Sequence, residues 1–255
     1  MDRGPNRPFL SKRDFTLLVA AALAAPIRAA LAQVKVIGTH GQGMEGEVTS
    51  TLPRTRNSAN AVPPPGSAPL PAATVLVIGD SLSAEYGIAR GKGWVNLLAM
   101  KLQKERPDVQ VVNASVSGDT TAGGRSRLPG LLNQVRPTVV VIELGGNDAL
   151  RGLDLDSTQL NLQAMIEAAQ AFQAKVVLVG MQIPPNYGPD YSTRFAAMFT
   201  HLAKKYRTGL VPFFLKGIAD VPDASKWFQP DRIHPKEEAH PKMLGNVWPE
   251  IKKAL

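Results

Sequence analysis

Ser81, His234 and Asp231 are the residue types that acyl transfer needs: a nucleophile, a base to take its proton and an acid to orient that base. Ser81 follows a short apolar run, Thr74-Val75-Leu76-Val77-Ile78, through the turn Gly79-Asp80. A serine so placed presents its hydroxyl at the end of a buried strand, beside backbone N–H groups. The four histidines are His40, His201, His234 and His240. His40 lies in a Pro/Gly-rich stretch, His201 in the middle of a helical pattern and His240 inside the last helix-like segment. His234 is the best base, because it is expected in a loop, precedes Pro235 and follows Asp231 by three residues. A carboxylate at that spacing can take the Nδ1–H across a turn, which leaves Nε2 free for the serine proton. Asp80 adjoins Ser81, but adjacent side chains on an extended segment point apart, so local hydrogen bonding is its expected role. The Ser81 N–H, the Gly118 N–H and the Asn147 side-chain amide are the candidate oxyanion donors. Gly118 has no Cβ to hold a substrate away, and Asn147 follows two glycines. Gly79-Asp80-Ser81-Leu82-Ser83 is not a G-x-S-x-G elbow, since Ser83 replaces the second glycine, and the α/β-hydrolase topology is disfavoured.

These residues need a scaffold that gathers them, and the apolar pattern supplies one. Short runs rich in Val and Ile recur at 74–78, 109–112, 138–144, 175–179 and 209–214. Their continuity suits strands buried on both faces. Helix-like segments alternate with them at about 94–104, 122–135, 157–172, 192–206 and 237–255. Alternation of this kind builds a parallel sheet with helices on both faces, and such sheets place their sites at the carboxyl ends of the strands. Gly79-Asp80-Ser81, Asn113 to Asp119, Gly145-Gly146-Asn147-Asp148 and the late segment Asp231-Arg232-Ile233-His234 all fall at those ends.

The N-terminal 73 residues read differently. Residues 1–32 hold the three parts of an export signal: a basic start from Arg3 to Arg13, an apolar stretch of 12 residues from Phe15 to Pro26, and Ala30-Leu31-Ala32 before a cleavage point at Gln33. The apolar stretch is shorter than the roughly 20 residues that span a bilayer, so no stable membrane insertion is expected after cleavage. Ser11-Lys12-Arg13-Asp14-Phe15-Thr16-Leu17 is twin-arginine-like, with Lys in place of the first Arg. The expected location is the periplasm or the exterior. Residues 33–73, rich in Gly and Pro, read as a flexible linker, and residues 74–255 as the folded domain.

Of the formal net charge of +8, the export segment carries five cations against two carboxylates. The remaining excess is mild and has no basic run, which argues against a nucleic-acid partner. The absence of cysteine removes disulfides, thiolate metal sites and a cysteine nucleophile together. Trp94, Trp227 and Trp248 read as packing residues.

Taken in order, Gly79-Asp80-Ser81-Leu82-Ser83, Gly118, Gly146-Asn147-Asp148 and Asp231-x-x-His234 resemble the four signature blocks of the SGNH (GDSL) hydrolase family. Asn113 to Thr120, Glu143 to Asp148 and Pro185-Asn186-Tyr187-Gly188 are similar to the bacterial periplasmic thioesterase I/lysophospholipase/arylesterase subgroup. The resemblance covers about residues 74–255. It implies an α/β fold, a three-layer flavodoxin-like α/β/α sandwich with a five-stranded parallel sheet. It also implies a Ser81–His234–Asp231 triad, an oxyanion hole from Ser81, Gly118 and Asn147, small-molecule acyl ester or thioester substrates, and no cofactor or metal. Glu85 stands where this subgroup usually has glycine, and a carboxylate there is expected either to disfavour anionic substrates or to raise the histidine's pKa.

The rival readings are a carbohydrate O-acetylesterase, a non-catalytic ligand-binding module and, last, a flavin protein on the same kind of sheet. Apolar residues expected near the cleft (Leu82, Leu150, Leu153, Ile183 and Pro184) favour an acyl or aryl chain over a sugar. The segments 149–153 and 183–187 are the loops expected to line it.

Overall fold

The computed structural model describes residues 35–37, 71–183 and 185–255. The expected export segment, most of the expected linker and Pro184 lie outside the described residues. The strands are β1 (Lys35–Ile37), β2 (Ala73–Gly79), β3 (Val109–Asn113), β4 (Val139–Glu143), β5 (Lys175–Val179) and β6 (Gly209–Val211). The principal helices are α1 (Trp94–Glu105), α2 (Thr121–Val135), α3 (Gly146–Leu150), α4 (Leu155–Ala171), α5 (Pro189–Tyr206) and α6 (His240–Ala254).

The six strands form one sheet in the order β1-β3-β2-β4-β5-β6. The last five in chain order are parallel, as the apolar runs imply. Val75 to Ile78 on β2 and Val140 to Ile142 on β4 are fully buried, the signature of strands covered on both faces. α1 and α6 pack together on one face, and α2, α4 and α5 form a layer on the other. Thr120 caps α2 by accepting from the Gly123 N–H, and Asp154 caps α4 by accepting from the Ser157 N–H at 2.8 Å.

Two segments depart from the sequence reading. Lys35–Ile37 falls inside the expected linker, yet it pairs antiparallel with β3, its Val36 opposite Val112. An edge strand needs only one partner, so three residues ending in β-branched Val36 and Ile37 suffice before Gly38. Gly146–Leu150, expected as a turn running into a loop, is a short helix entered through Gly145 at φ 116.

The strand order decides where a site can form. The chain goes from β2 outward to β3, then returns across β2 to β4. Loops leaving the carboxyl ends of these strands therefore diverge around β2, opening a crevice at that point of reversal. Val77 lies beside Asn113 and Gly79 beside Glu143, so the segments that follow β2, β3 and β4 start as neighbours.

Candidate active site

Ser81 leaves β2 within a tight turn. The Asp80 carbonyl accepts from the N–H groups of Ser83 and Ala84, and the Ser81 carbonyl from that of Tyr86. Beneath the turn is a buried polar string. The Trp94 Nε1–H donates to Ser83 Oγ at 3.0 Å, and the Ser83 hydroxyl donates to Glu143 Oε2 at 2.7 Å. The Asp80 N–H also points at Glu143 Oε2, at 3.4 Å. Burial, then the charge of Asp80, push the Glu143 carboxyl well above its ordinary range. Trp94 itself is held from behind, its N–H donating to His240 Nδ1 at 3.1 Å. Burial lowers this histidine to about 4, against the charges of Glu85 and Glu237, so it serves as a neutral acceptor.

The candidate base arrives from the other end of the chain. His234 Nε2 lies 2.9 Å from Ser81 Oγ, and His234 Nδ1 lies 2.7 Å from Asp231 Oδ2. A carboxylate only accepts, so Nδ1 carries the proton and Nε2 is open to the serine hydroxyl. Asp231 Oδ1 accepts from the N–H groups of Ile233 and His234, at 2.9 and 3.0 Å. Partial burial raises the Asp231 carboxyl, but these bonds and the His234 side chain outweigh it and hold it below its ordinary value. The turn closes through Arg232 at φ 59. Tyr86 lies over the imidazole, ring centroids 4.3 Å apart.

The three expected oxyanion donors lie on the segments that follow β2, β3 and β4. Asn147 Nδ2 donates one hydrogen to Asp80 Oδ2 at 3.0 Å, which fixes the amide and leaves its second N–H without an acceptor among the described residues. The N–H groups of Ser81 and Gly118 likewise have none. Gly118 takes φ 78, a region where a side chain is strained, and its carbonyl accepts from Arg151 at 2.9 Å. Asp80 is thus more than a local group. It bonds the Leu82 N–H at 3.0 Å and also reaches across to Asn147. Burial raises it to about 6, against the Leu82 N–H, the charge of His234 and the Asn147 amide.

Other expectations change. Glu85 does stand at a left-handed position, φ 62, where glycine costs least. Its carboxylate, however, accepts from the N–H groups of Gly91 and Gly93 at 2.9–3.0 Å. It braces its own loop. Leu82 is buried in the core and unavailable to a ligand, and Ile183 packs against the core. Leu150 and Leu153 are exposed, as are Val116, Tyr86 and Ile233 on neighbouring loops. Trp94 is wholly buried, while Trp227 and Trp248 pack against the core from its margin. His201, on α5, is exposed. The sequence reading assigned no part to Asp148, which is buried and accepts from both the N–H and the hydroxyl of Thr121, tying α3 to the start of α2. Glu143 was equally unassigned. An acid closing a continuous apolar run was the signal for it.

A flavodoxin-like α/β/α sheet with a serine, histidine and aspartate aligned at its point of strand reversal defines a class of serine hydrolases. The match is specific: the GDSL-like lipase/acylhydrolase family model covers residues 77–241, and the chain belongs to this family. It is a hydrolase of carboxylic ester or thioester bonds. It is 50% identical to Esterase TesA of Pseudomonas aeruginosa over 184 residues, covering 72% of this chain and 90% of that one. It is 42% identical to Arylesterase of Vibrio mimicus, covering 71% and 89%. Thioesterase 1/protease 1/lysophospholipase L1 of Escherichia coli is 41% identical, covering 66% and 78%. The crystal structure of TesA superposes with a TM-score of 0.68 at 50% identity, over 71% of this chain and 99% of that one. A structure of esterase EstA from Pseudoalteromonas sp., inhibited by monoethylphosphonate, superposes at 0.66 with 42% identity, over 71% and 97%.

Proposed function

We propose that this protein is an exported hydrolase that cleaves small acyl esters and thioesters through an acyl-serine intermediate. The alignment of Asp231, His234 and Ser81 at 2.7 and 2.9 Å carries this reading. His234 Nε2 takes the Ser81 proton as Oγ attacks the substrate carbonyl. The developing oxyanion is received by the N–H groups of Ser81, Gly118 and Asn147, which have no acceptor among the described residues apart from the one Asn147 hydrogen given to Asp80. His234 then returns the proton to the leaving alcohol or thiol, and the acyl group stays on Ser81. A water, deprotonated by His234, attacks the acyl-serine and releases the acid, with the proton passing back to Ser81.

Exposed Val116, Leu150 and Leu153, on the segments that carry Gly118 and Asn147, are the apolar side chains available to the acyl or aryl part of the substrate. The relatives' names, an esterase, an arylesterase and a thioesterase/lysophospholipase, agree with an acyl site of this kind. Export to the periplasm rests on the basic start, the short apolar stretch and Ala30-Leu31-Ala32. No helix among the described residues is long and apolar enough to cross a membrane.

The test is hydrolysis of p-nitrophenyl esters from acetate to palmitate, and of palmitoyl-CoA, by the purified protein and by Ser81→Ala. A loss of roughly 10⁵–10⁶-fold in kcat is expected in the variant. A wild type no faster than Ser81→Ala on every substrate would rule out lipid and aryl esters, and acetylated sugars would be tested next.

A further inference from the structure

The base loop is anchored at its ends, where Trp227 and Phe228 pack against the core and Pro235 is buried, but little fixes its tip. Asp231, Arg232 and Ile233 are exposed, and the hydrogen bonds that form the turn all run between residues a few positions apart. They hold His234 to Asp231. They do not hold His234 to Ser81, which lies on a separate segment 153 residues away.

Gln229 spans that gap. Its main chain closes the loop, the N–H donating to the His234 carbonyl at 2.8 Å and the carbonyl accepting from the Arg232 N–H at 2.9 Å. Its side-chain Nε2 donates to two carbonyls, Pro235 O at 3.1 Å on its own loop and Tyr86 O at 3.0 Å on the nucleophile turn. Tyr86 is in turn tied to Ser81, whose carbonyl accepts the Tyr86 N–H at 3.3 Å, and its ring covers the His234 imidazole. The contacts form a closed ring: Ser81, Tyr86, Gln229, His234 and back to Ser81. Between residues 81–87 and 228–235, the only described hydrogen bonds are Ser81–His234 and Gln229–Tyr86. The neighbouring Gly87 makes room for the amide. At φ 70, a Cβ there would lie 2.1 Å from Gln229 Oε1.

We propose that Gln229 is a positioning residue for the reaction, its side-chain amide setting the gap between nucleophile turn and base loop. The inference rests on the reading of Ser81 and His234 as nucleophile and base. Both amide hydrogens are used as donors to carbonyls, so a carboxylate of the same size cannot replace it: it has no hydrogen to give and repels both oxygens. A base displaced by about 1 Å slows the chemical step by about 10²-fold without changing how the substrate binds.

Steady-state kinetics on p-nitrophenyl butyrate test the proposal, with wild type, Gln229→Glu, Gln229→Ala, Gly87→Ala, the Gly87→Ala/Gln229→Ala double variant and Ser81→Ala measured together. Gln229→Glu and Gln229→Ala are expected to lose roughly 10–100-fold in kcat with KM within about threefold of wild type. Gly87→Ala is expected to lose a similar factor, and the double variant to lose no more than Gln229→Ala alone, because both changes remove one contact. Thermal unfolding of each variant shows whether it is folded, and if Gln229→Ala is not, the near-isosteric Gln229→Glu decides. Wild-type kcat in Gln229→Glu, with Ser81→Ala inactive, overturns the positioning role and leaves the triad intact. Losses that multiply in the double variant, or a KM that rises as kcat falls, also overturn it. Activity retained in Ser81→Ala overturns the triad itself.

Discussion

The nucleophile turn (residues 79–93) and the base loop (residues 227–236) meet at two described hydrogen bonds, Ser81–His234 and Gln229–Tyr86, yet they are held in opposite ways. In the turn, Asp80, Ser83 and Glu143 beneath it are at least 97% buried, and partners come from β4, α1 and α3. In the loop, Pro230 to Ile233 are exposed, and the described polar partners of Asp231 and His234, apart from Ser81, lie within the loop. One half of the site is therefore part of the core and shares its stability. The other is a surface turn whose precision comes from a few bonds. Substitutions in the first should cost folding energy, and substitutions in the second should cost activity alone.

The sharpest test of that contrast is Asp231→Asn. An amide at 231 presents an N–H to Nδ1 and favours the wrong tautomer, so kcat should fall by about 10⁴-fold. Because the side chain is 38% exposed, the unfolding midpoint in urea should barely move. A large loss of stability would break the comparison by showing the loop to be integral to the core.

Ser83→Ala probes the buried half. It strips the Trp94 indole N–H of its acceptor and the Glu143 carboxyl of its donor, and each buried group left unpaired costs about 1–3 kcal/mol. Urea unfolding should show a loss of about 2–4 kcal/mol, larger than the accompanying fall in kcat once that is expressed as free energy. Unchanged stability would mean that the string of hydrogen bonds under the turn contributes nothing net.

The smallest effect belongs to His240, at the rear of the same network, and it is visible only through pH. The folded protein keeps this imidazole neutral down to about 4, whereas in the unfolded chain it takes a proton near 6.5. Below that value the unfolded state binds more protons, so the stability held by neutral His240 is full above 6.5 and is lost as pH falls toward 4. Asp80 acts oppositely, its contribution being full below 3.8 and lost as pH rises through about 6. His240→Gln keeps an acceptor for the Trp94 N–H and cannot titrate. Its stability should gain on wild type by about 2–3 kcal/mol between pH 6.5 and 4, read from unfolding midpoints at successive pH values. Parallel curves for the two proteins would show that His240 is not protonated on unfolding.

The sequence alone determined the architecture and pointed to the main site residues. Apolar runs with strand length, alternating with helical periods, are local patterns, and they marked all five parallel strands and their helices. The candidate site residues could be named because each follows a strand's carboxyl end or, like Asp231 and His234, is joined to its partner by a turn of three residues. The tertiary structure decided the rest. That Asp80 fixes Asn147, 67 residues away, and that Ser83 bonds Glu143, 60 away, depends on β2 lying beside β4. That Gln229 spans to Tyr86, 143 residues away, depends on how the chain returns after β6. Glu85 shows the limit most plainly: beside the nucleophile in sequence, it is turned to its own loop by a left-handed backbone and two glycine N–H groups. The physical reason is common to all of these. Burial and strand periodicity are encoded over a few residues, whereas the partner of a buried polar group is whichever donor or acceptor the sheet order brings alongside.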